Sequence, residues 1–92
     1  CPVPENNETF TELLKHKNVI IERIVSSDKI IPFQQQHPQD EWVILLKGKA
    51  TLAMDEKIIT LQAGDYLFIP SNKKHTVSST ESGSFWLAVH IL

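Results

Sequence analysis

Apolar and polar residues alternate along much of the chain with the period of two that extended strands produce. From Ala50 to Met54 every second residue is apolar, which predicts a strand with one buried face. Trp42 to Leu46 is an unbroken apolar run, typical of a strand that is buried on both faces. Further strands are predicted over residues 19–25, 29–33, 58–61, 66–69, 76–80 and 85–92. Eight short strands at regular spacing favour an all-β sandwich or barrel.

One segment departs from this pattern and predicts a short N-terminal helix. Thr9 and Glu12 have the spacing of a capping box at the start of the segment Thr9 to His16. Phe10, Leu13 and Leu14 would then form its apolar face. Residues 1–7 contain two prolines and predict an extended arm, which leaves residues 8–92 as one domain. The most economical fold is a small closed barrel or jelly roll that carries one short helix.

Length and charge exclude several classes of protein. A chain of 92 residues can build one ordinary core. Nine Lys and Arg against eleven Asp and Glu give a net charge of −2 with no basic stripe, which argues against nucleic-acid or membrane partners. No apolar run approaches the roughly 18 residues of a spanning helix, and no signal peptide is recognised. Cys1 is the only cysteine, so neither an internal disulfide nor a multi-cysteine zinc site is expected, and a cytoplasmic protein is predicted.

Two motifs distinguish the sequence from a generic β-barrel. The first lies in the segment Gln35 to Glu41, where His37 and Glu41 are followed by Gly48 after six further residues. This spacing resembles the first motif of the cupin superfamily, which ends in histidine, three or four residues, glutamate, six residues and glycine. Where that motif has a second histidine two residues earlier, this chain has Gln35.

The second motif runs from Gly64 through Pro70 to His75 and resembles the second cupin motif. Asn72 replaces a glycine of the pattern, a mild exchange because Asn tolerates a left-handed backbone. The chain also resembles a subgroup of small bacterial cupins through two further segments. These are Asp40-Glu41-Trp42-Val43 and Trp86-Leu87-Ala88-Val89-His90. Many members of that subgroup have no histidine in the first motif, which leaves a metal-free barrel as an alternative.

The resemblance implies a double-stranded β-helix, the cupin jelly roll, that holds one divalent metal ion. Its ligands by position would be Gln35, His37, Glu41 and His75. This donor set suits Zn, Fe(II), Mn or Ni. The alternative is that His37 and His75 are partly exposed loop residues. An inward-facing Glu41 would then need a lysine or histidine as its partner.

Four other residues are expected to belong to the core and to line a pocket: Trp42, Tyr66, Trp86 and His90. The predicted function is that of a small cupin which binds a divalent metal, a small organic ligand, or both inside the barrel. A metal-dependent enzyme of the oxygenase or isomerase type is one function class that the sequence leaves open. The alternative is a metal-free ligand-binding or structural barrel. No residue pattern identifies a catalytic group or a substrate. A homodimer is predicted, because the apolar strand residues exceed what so small an interior can hold.

Overall fold

The computed structural model describes residues 2–92, and Cys1 lies outside the described residues. Within this range the chain forms strands joined by short turns and one long connection. The strands are β1 Glu8–His16, β2 Val19–Ser26, β3 Gln34–Gln35, β4 Asp40–Lys47, β5 Lys49–Met54, β6 Lys57–Gln62, β7 Tyr66–Ile69, β8 His75–Thr80 and β9 Ser84–Ile91. No helix in this part of the chain has the length and apolar character needed to cross a membrane.

The strands form two antiparallel sheets that pack face to face as a jelly roll. The five-stranded sheet has the order β1-β2-β9-β4-β7, and the four-stranded sheet has the order β3-β8-β5-β6. The core lies between them because the strands bury alternate residues. Leu45 on β4 and Ala88 on β9 are fully buried, and Leu52 on β5 is almost so. The whole core cluster comprises Ile24, Val43, Leu45, Ala50, Leu52, Leu61, Trp86 and Ala88. The all-β jelly roll predicted from the sequence is therefore confirmed.

The predicted N-terminal helix is wrong, because residues 8–16 form strand β1. This strand pairs with β2 along its length, with Glu8 opposite Ser26 and His16 opposite Val19. A β-bulge between Glu12 and Leu14 interrupts the alternation and creates the apolar spacing that indicated a helix. Pairing with β2 outweighs the local capping signal, because Thr9, Phe10 and Thr11 favour strands and an isolated two-turn helix is marginal.

The predicted strand over residues 29–33 is also wrong. Pro32 cannot donate a ladder hydrogen bond, and the only pairing in this connection is the two-residue strand β3. Asn7 joins this connection to the residues before β1: its N–H donates to the carbonyl of Lys29, and its carbonyl accepts from the N–H of Ser27, both at 2.9 Å. Residues 27–39, which precede β4, are therefore held in place mainly by individual hydrogen bonds and not by a continuous strand ladder.

Candidate metal centre

Three of the predicted ligands converge between the two sheets. His37, Glu41 and His75 each offer a donor atom, and these atoms lie within 4.8 Å of one another. Donor atoms bound to one ion at about 2.0–2.2 Å are separated by up to roughly 4.4 Å, so small side-chain adjustments would bring all three onto one ion. His75 comes from the four-stranded sheet and Glu41 from the five-stranded sheet, while His37 lies on the connection between β3 and β4.

The His75 side chain is oriented by a backbone hydrogen bond. His75 begins β8 and is 5 % exposed, so it is a buried residue and not a loop histidine. Its Nδ1 lies 3.0 Å from the carbonyl oxygen of Lys73. Since a carbonyl only accepts, Nδ1 carries a proton, and in a neutral ring Nε2 would then have the lone pair that binds an ion. Histidines that ligate metals commonly donate the other ring N–H to a carbonyl oxygen in this way.

Gln35 lies directly beside the two histidines. It is the register partner of His75 in the β3–β8 ladder, and its Oε1 is 3.4 Å from Nε2 of His37. The His37 and His75 rings have centroids 5.7 Å apart and planes tilted by 54°. The amide oxygen is therefore placed where it can serve as a fourth donor.

Among the four candidate ligands, the Glu41 carboxylate has the fewest partners to compensate its negative charge. The residue is 8 % exposed, and across residues 2–92 no hydrogen-bond donor or ion-pair partner contacts its carboxylate. No side-chain oxygen in that range is both sealed from solvent and unpaired, so the carboxylate remains open to the interior cavity. A carboxylate in such a position is costly unless a cation or donor group joins it. The donor set of two imidazoles, a carboxylate and an amide fits a borderline divalent ion.

The backbone around His37 is fixed by the turn that precedes β8. The N–H of Asn72 donates to the carbonyl of His37 at 2.7 Å, and Asn72 has the left-handed φ of 60° expected at this position of the motif. The Ser71 hydroxyl donates to the carbonyl of Pro38 at 2.6 Å, and its N–H donates to Oδ1 of Asp40 at 2.8 Å. These bonds bring the two sequence motifs together at one end of the barrel.

The candidate ligands open into a cavity of about 460 Å³ between the sheets. Its apolar walls come from both sheets: Phe10, Ile20, Ile24, Val43, Leu52, Ile69, Val77 and Trp86. Its polar groups besides the candidate ligands are Glu8, Glu12, Glu22, Gln39 and His90. A space of this size can hold a small organic molecule next to the metal centre.

A short hydrogen-bond chain crosses one wall of the cavity. Nε1 of Trp86 donates to Oγ of Ser26 at 3.0 Å, and the Ser26 hydroxyl donates to Oε2 of Glu8. Burial raises the pKa of the Glu8 carboxyl above its ordinary value, and the hydrogen bond from Ser26 opposes part of that rise. Glu8 is thus held as a carboxyl group that accepts a proton more readily than an exposed glutamate.

Two of the four predicted pocket residues lie elsewhere. Trp86 and His90 line the cavity, whereas Trp42 and Tyr66 do not. Trp42 alternates with the buried residues of β4 and therefore points away from the core, where its ring lies 5.8 Å from the ring of Tyr66. The unbroken apolar run of β4 gave no indication of which face would be inward.

Sequence reasoning missed the acidic residues of the cavity wall. Glu8 and Glu12 lie on β1, and Glu22 lies on β2. A helix in place of β1 would not put Glu8 and Glu12 on the same face as Phe10. The available signal was the alternation of Glu8, Phe10 and Glu12 with threonine. Gln39 was missed as well; its Nε2 is 3.4 Å from Nδ1 of His90.

The fold, the three convergent side chains and the adjoining cavity are those of a small jelly-roll barrel with a candidate metal site. Residues 22–90 match the family model for the cupin domain, and the chain belongs to the cupin family. A search of curated proteins finds no match.

Solved structures with the same fold include a candidate mannose-6-phosphate isomerase from Ralstonia eutropha. It is 34% identical, with a TM-score of 0.85, and the alignment covers 98% of this chain and 89% of that one. A cupin superfamily protein from Desulfitobacterium hafniense is 20% identical, with a TM-score of 0.86 and coverages of 100% and 84%. An RmlC-like cupin from Shewanella frigidimarina is 15% identical, with a TM-score of 0.83 and coverages of 98% and 82%. At these lower identities the second and third structures support the fold alone.

Proposed function

We propose that this cupin binds one divalent metal ion through His37, Glu41 and His75, with Gln35 as a fourth donor, and that a small organic ligand occupies the adjoining cavity. The observation that carries the proposal is the Glu41 carboxylate. The Glu41 residue is 8 % exposed, and its carboxylate is unpaired within residues 2–92, opens into the cavity, and offers an oxygen within 4.8 Å of a donor atom on each histidine. A divalent cation compensates a buried carboxylate in such a position.

The protein residues would orient a ligand and exclude water around it. A bound divalent ion supplies Lewis-acid chemistry to an oxygen atom of the ligand. The Lys73 carbonyl holds the His75 ring, while the apolar walls limit the access of bulk water. Gln39 and His90 add polar groups that can donate to or accept from ligand hydroxyls. Because the Ralstonia eutropha relative carries the name of a sugar isomerase, we favour a metal-dependent reaction on a small hydroxylated molecule.

Metal titration of chelator-stripped protein tests this proposal. Metal at one hundred times its dissociation constant stabilises the folded state by about 2.7 kcal/mol, which is worth roughly 10–20 °C in Tm for a domain of this size. We expect such a shift with at least one of Zn, Mn, Fe(II) and Ni, and we expect it to fade below about pH 6 as protons compete for imidazole. Elemental analysis of protein purified without chelator measures the stoichiometry.

A matched pair of histidine variants makes the test specific. His75→Ala removes a buried ligand and should abolish the shift, whereas His16→Ala, at the exposed end of β1, should retain it. The absence of a metal-dependent shift in the wild type would contradict the proposal and would favour the metal-free ligand-binding barrel.

A further inference from the structure

Acidic side chains line the cavity beside the candidate metal centre. Four glutamates line the cavity, and among the described lining residues there is no lysine or arginine. The four are Glu8, Glu12, Glu22 and Glu41. A cavity that binds a phosphate or a carboxylate normally presents a basic side chain or a cluster of N–H groups to it. This cavity instead presents acidic side chains, which favour a positively charged ligand.

Two of these glutamates face each other across neighbouring strands. Glu12 on β1 is the direct register partner of Glu22 on β2, and both line the cavity. Like charges directly opposite in an antiparallel ladder are destabilising. No lysine or arginine of residues 2–92 forms an ion pair with either carboxylate. The pair therefore costs stability in the free protein, and a cation placed between the two carboxylates would remove that cost.

Within residues 2–92 the Glu22 carboxylate has one side-chain partner, His90. Oε1 of Glu22 lies 3.4 Å from Nε2 of His90. The amide nitrogen of Gln39 donates to the other ring nitrogen, Nδ1, also at 3.4 Å. A His90 ring that donates from Nε2 and is neutral would orient the Glu22 carboxylate and leave its negative charge to a ligand.

The metal centre does not remove the negative charge of the cavity either. A divalent ion would offset Glu41 and contribute one further positive charge, whereas Glu12 and Glu22 carry two negative charges between them. Without the ion, Glu41 adds a third carboxylate that has no partner within residues 2–92 and opens into the same space. The cavity therefore retains a net attraction for positive charge with the ion in place.

We propose that the cavity binds a small hydroxylated amine, whose ammonium group lies between Glu12 and Glu22 and whose oxygen atoms face the metal centre. This proposal rests on the proposed function of the cavity as a ligand site and names its ligand class. Phe10 lies two residues before Glu12 on the same wall, and its ring adds a cation–π surface. Sugar phosphates and polycarboxylates are excluded by the same charges, so the ligand differs from the substrate in the name of the Ralstonia eutropha relative.

Three polyols with one carbon skeleton test the charge preference. Glucamine, sorbitol and sorbitol 6-phosphate are positive, neutral and negative at neutral pH, and calorimetric titration gives their dissociation constants for metal-loaded protein. We expect glucamine to bind at least about tenfold more tightly than sorbitol, because a hydrogen bond to a charged group contributes more than a neutral one. Sorbitol 6-phosphate should bind more weakly than sorbitol, and added salt should reduce the difference.

Paired variants identify the carboxylates responsible. The double variant Glu12→Gln, Glu22→Gln should lose the preference for glucamine over sorbitol. It should also melt at a higher temperature than the wild type without ligand, which verifies folding and relief of the repulsion. Glu56→Gln changes an exposed glutamate in the turn between β5 and β6, outside this cavity, and should keep the preference.

The outcomes separate this inference from the metal proposal. His75→Ala should lose metal binding and still prefer glucamine to sorbitol 6-phosphate, whereas the double glutamate variant should keep the metal-dependent thermal shift. Tighter binding of sorbitol 6-phosphate than of glucamine would overturn the inference. It would also be overturned by an unchanged preference in the double variant, or by no measurable glucamine binding at millimolar concentration.

Discussion

Gly48 and Ser84 are in such close contact that a β-carbon at Gly48 would lie 2.3 Å from the Ser84 hydroxyl oxygen and 2.8 Å from its Cα. The turn between β4 and β5 therefore packs directly on the first residue of β9. The Ser84 hydroxyl donates to the carbonyl of Glu81 at 2.7 Å and is fully buried. Its backbone cannot move away without disturbing the adjoining strand, so the glycine of the first motif has a steric role in the fold.

Alanine substitutions at two glycines should differ in their cost. Gly64→Ala introduces only the strain of a side chain at φ 94°, because nothing lies within 4 Å of the added carbon, and should cost about 1 kcal/mol. Gly48→Ala adds a clash with the Ser84 backbone to similar strain at φ 91° and should cost about 3 kcal/mol or more. Urea unfolding measures both values. Equal losses would contradict the steric role of Gly48.

The amide of Gln35 should be the weakest of the four metal donors. Gln35→Ala removes a neutral oxygen and leaves both imidazoles and the carboxylate in place. A tenfold loss of affinity corresponds to about 1.4 kcal/mol, so the metal-dependent rise in Tm should decrease by roughly 5–10 °C without disappearing. A shift equal to that of the wild type would exclude Gln35 as a ligand, and complete loss would place it on a par with His75.

The stability of the protein should depend on pH through Glu8. Its raised pKa means that the folded protein binds this proton more tightly than the unfolded chain does. The stabilisation from that proton is complete below the ordinary pKa of 4.5 and is lost as the pH rises through the folded value. Glu8→Gln keeps an acceptor for Ser26 and removes the charge, so its Tm should exceed that of the wild type at neutral pH.

Melting curves across a pH series check the Glu8 prediction. The advantage of Glu8→Gln should shrink as the pH falls below 4.5, where the wild-type carboxyl is itself protonated. Glu5→Gln, an exposed residue before β1, is the matched control and should follow the wild type at every pH. A Tm for Glu8→Gln at or below that of the wild type at neutral pH would contradict the desolvation argument.

The homodimer predicted from the sequence remains a prediction with a definite surface to test. Phe10, Ile31 and Phe33 line a shallow apolar depression and are 58%, 71% and 66% exposed. Sedimentation at micromolar concentration should give twice the 10.5 kDa mass of the chain. Ile31→Glu should shift the protein to the monomer, and Ile58→Glu, on the separate strand β6, should not. A monomeric wild type would contradict the prediction.

Strand prediction succeeded where an apolar or alternating run ended at turn residues, and it failed in β1 and in residues 29–33. The predicted bounds of β7 match those observed, and the predictions for β5 and β6 agree to within one residue at each end. In β1 the alternation of Glu8, Phe10 and Glu12 with threonine breaks off at the bulge between Glu12 and Leu14, and the apolar pair Leu13-Leu14 that follows resembles a helical face. The pairing with β2 that stabilises β1 is a tertiary interaction, which local propensity does not contain.

The candidate ligands could be predicted because motif spacing determines their positions in the strands, whereas the cavity walls depend on which face each strand buries. His37, Glu41 and His75 follow from the resemblance to the two cupin motifs, and they lie together in the structure. Trp42 is expected from the sequence in the core and the pocket wall, and the pleat of β4 directs it outward. Glu12 and Glu22 become neighbours only through the β1–β2 register, which no local pattern reveals.

The two-residue strand β3 has a consequence for access to the barrel. Residues 27–39 run from β2 to β4, both in the five-stranded sheet, and pair with the four-stranded sheet only through β3, where Gln35 lies opposite His75. A segment with so few backbone pairings opens locally at a small cost in free energy. An ion bound by Gln35 and His37 together with Glu41 and His75 would link this segment to both sheets. Amide exchange and protease cleavage in residues 27–39 would then slow with metal occupancy. The ion would thus stabilise this segment as well as supply Lewis-acid chemistry.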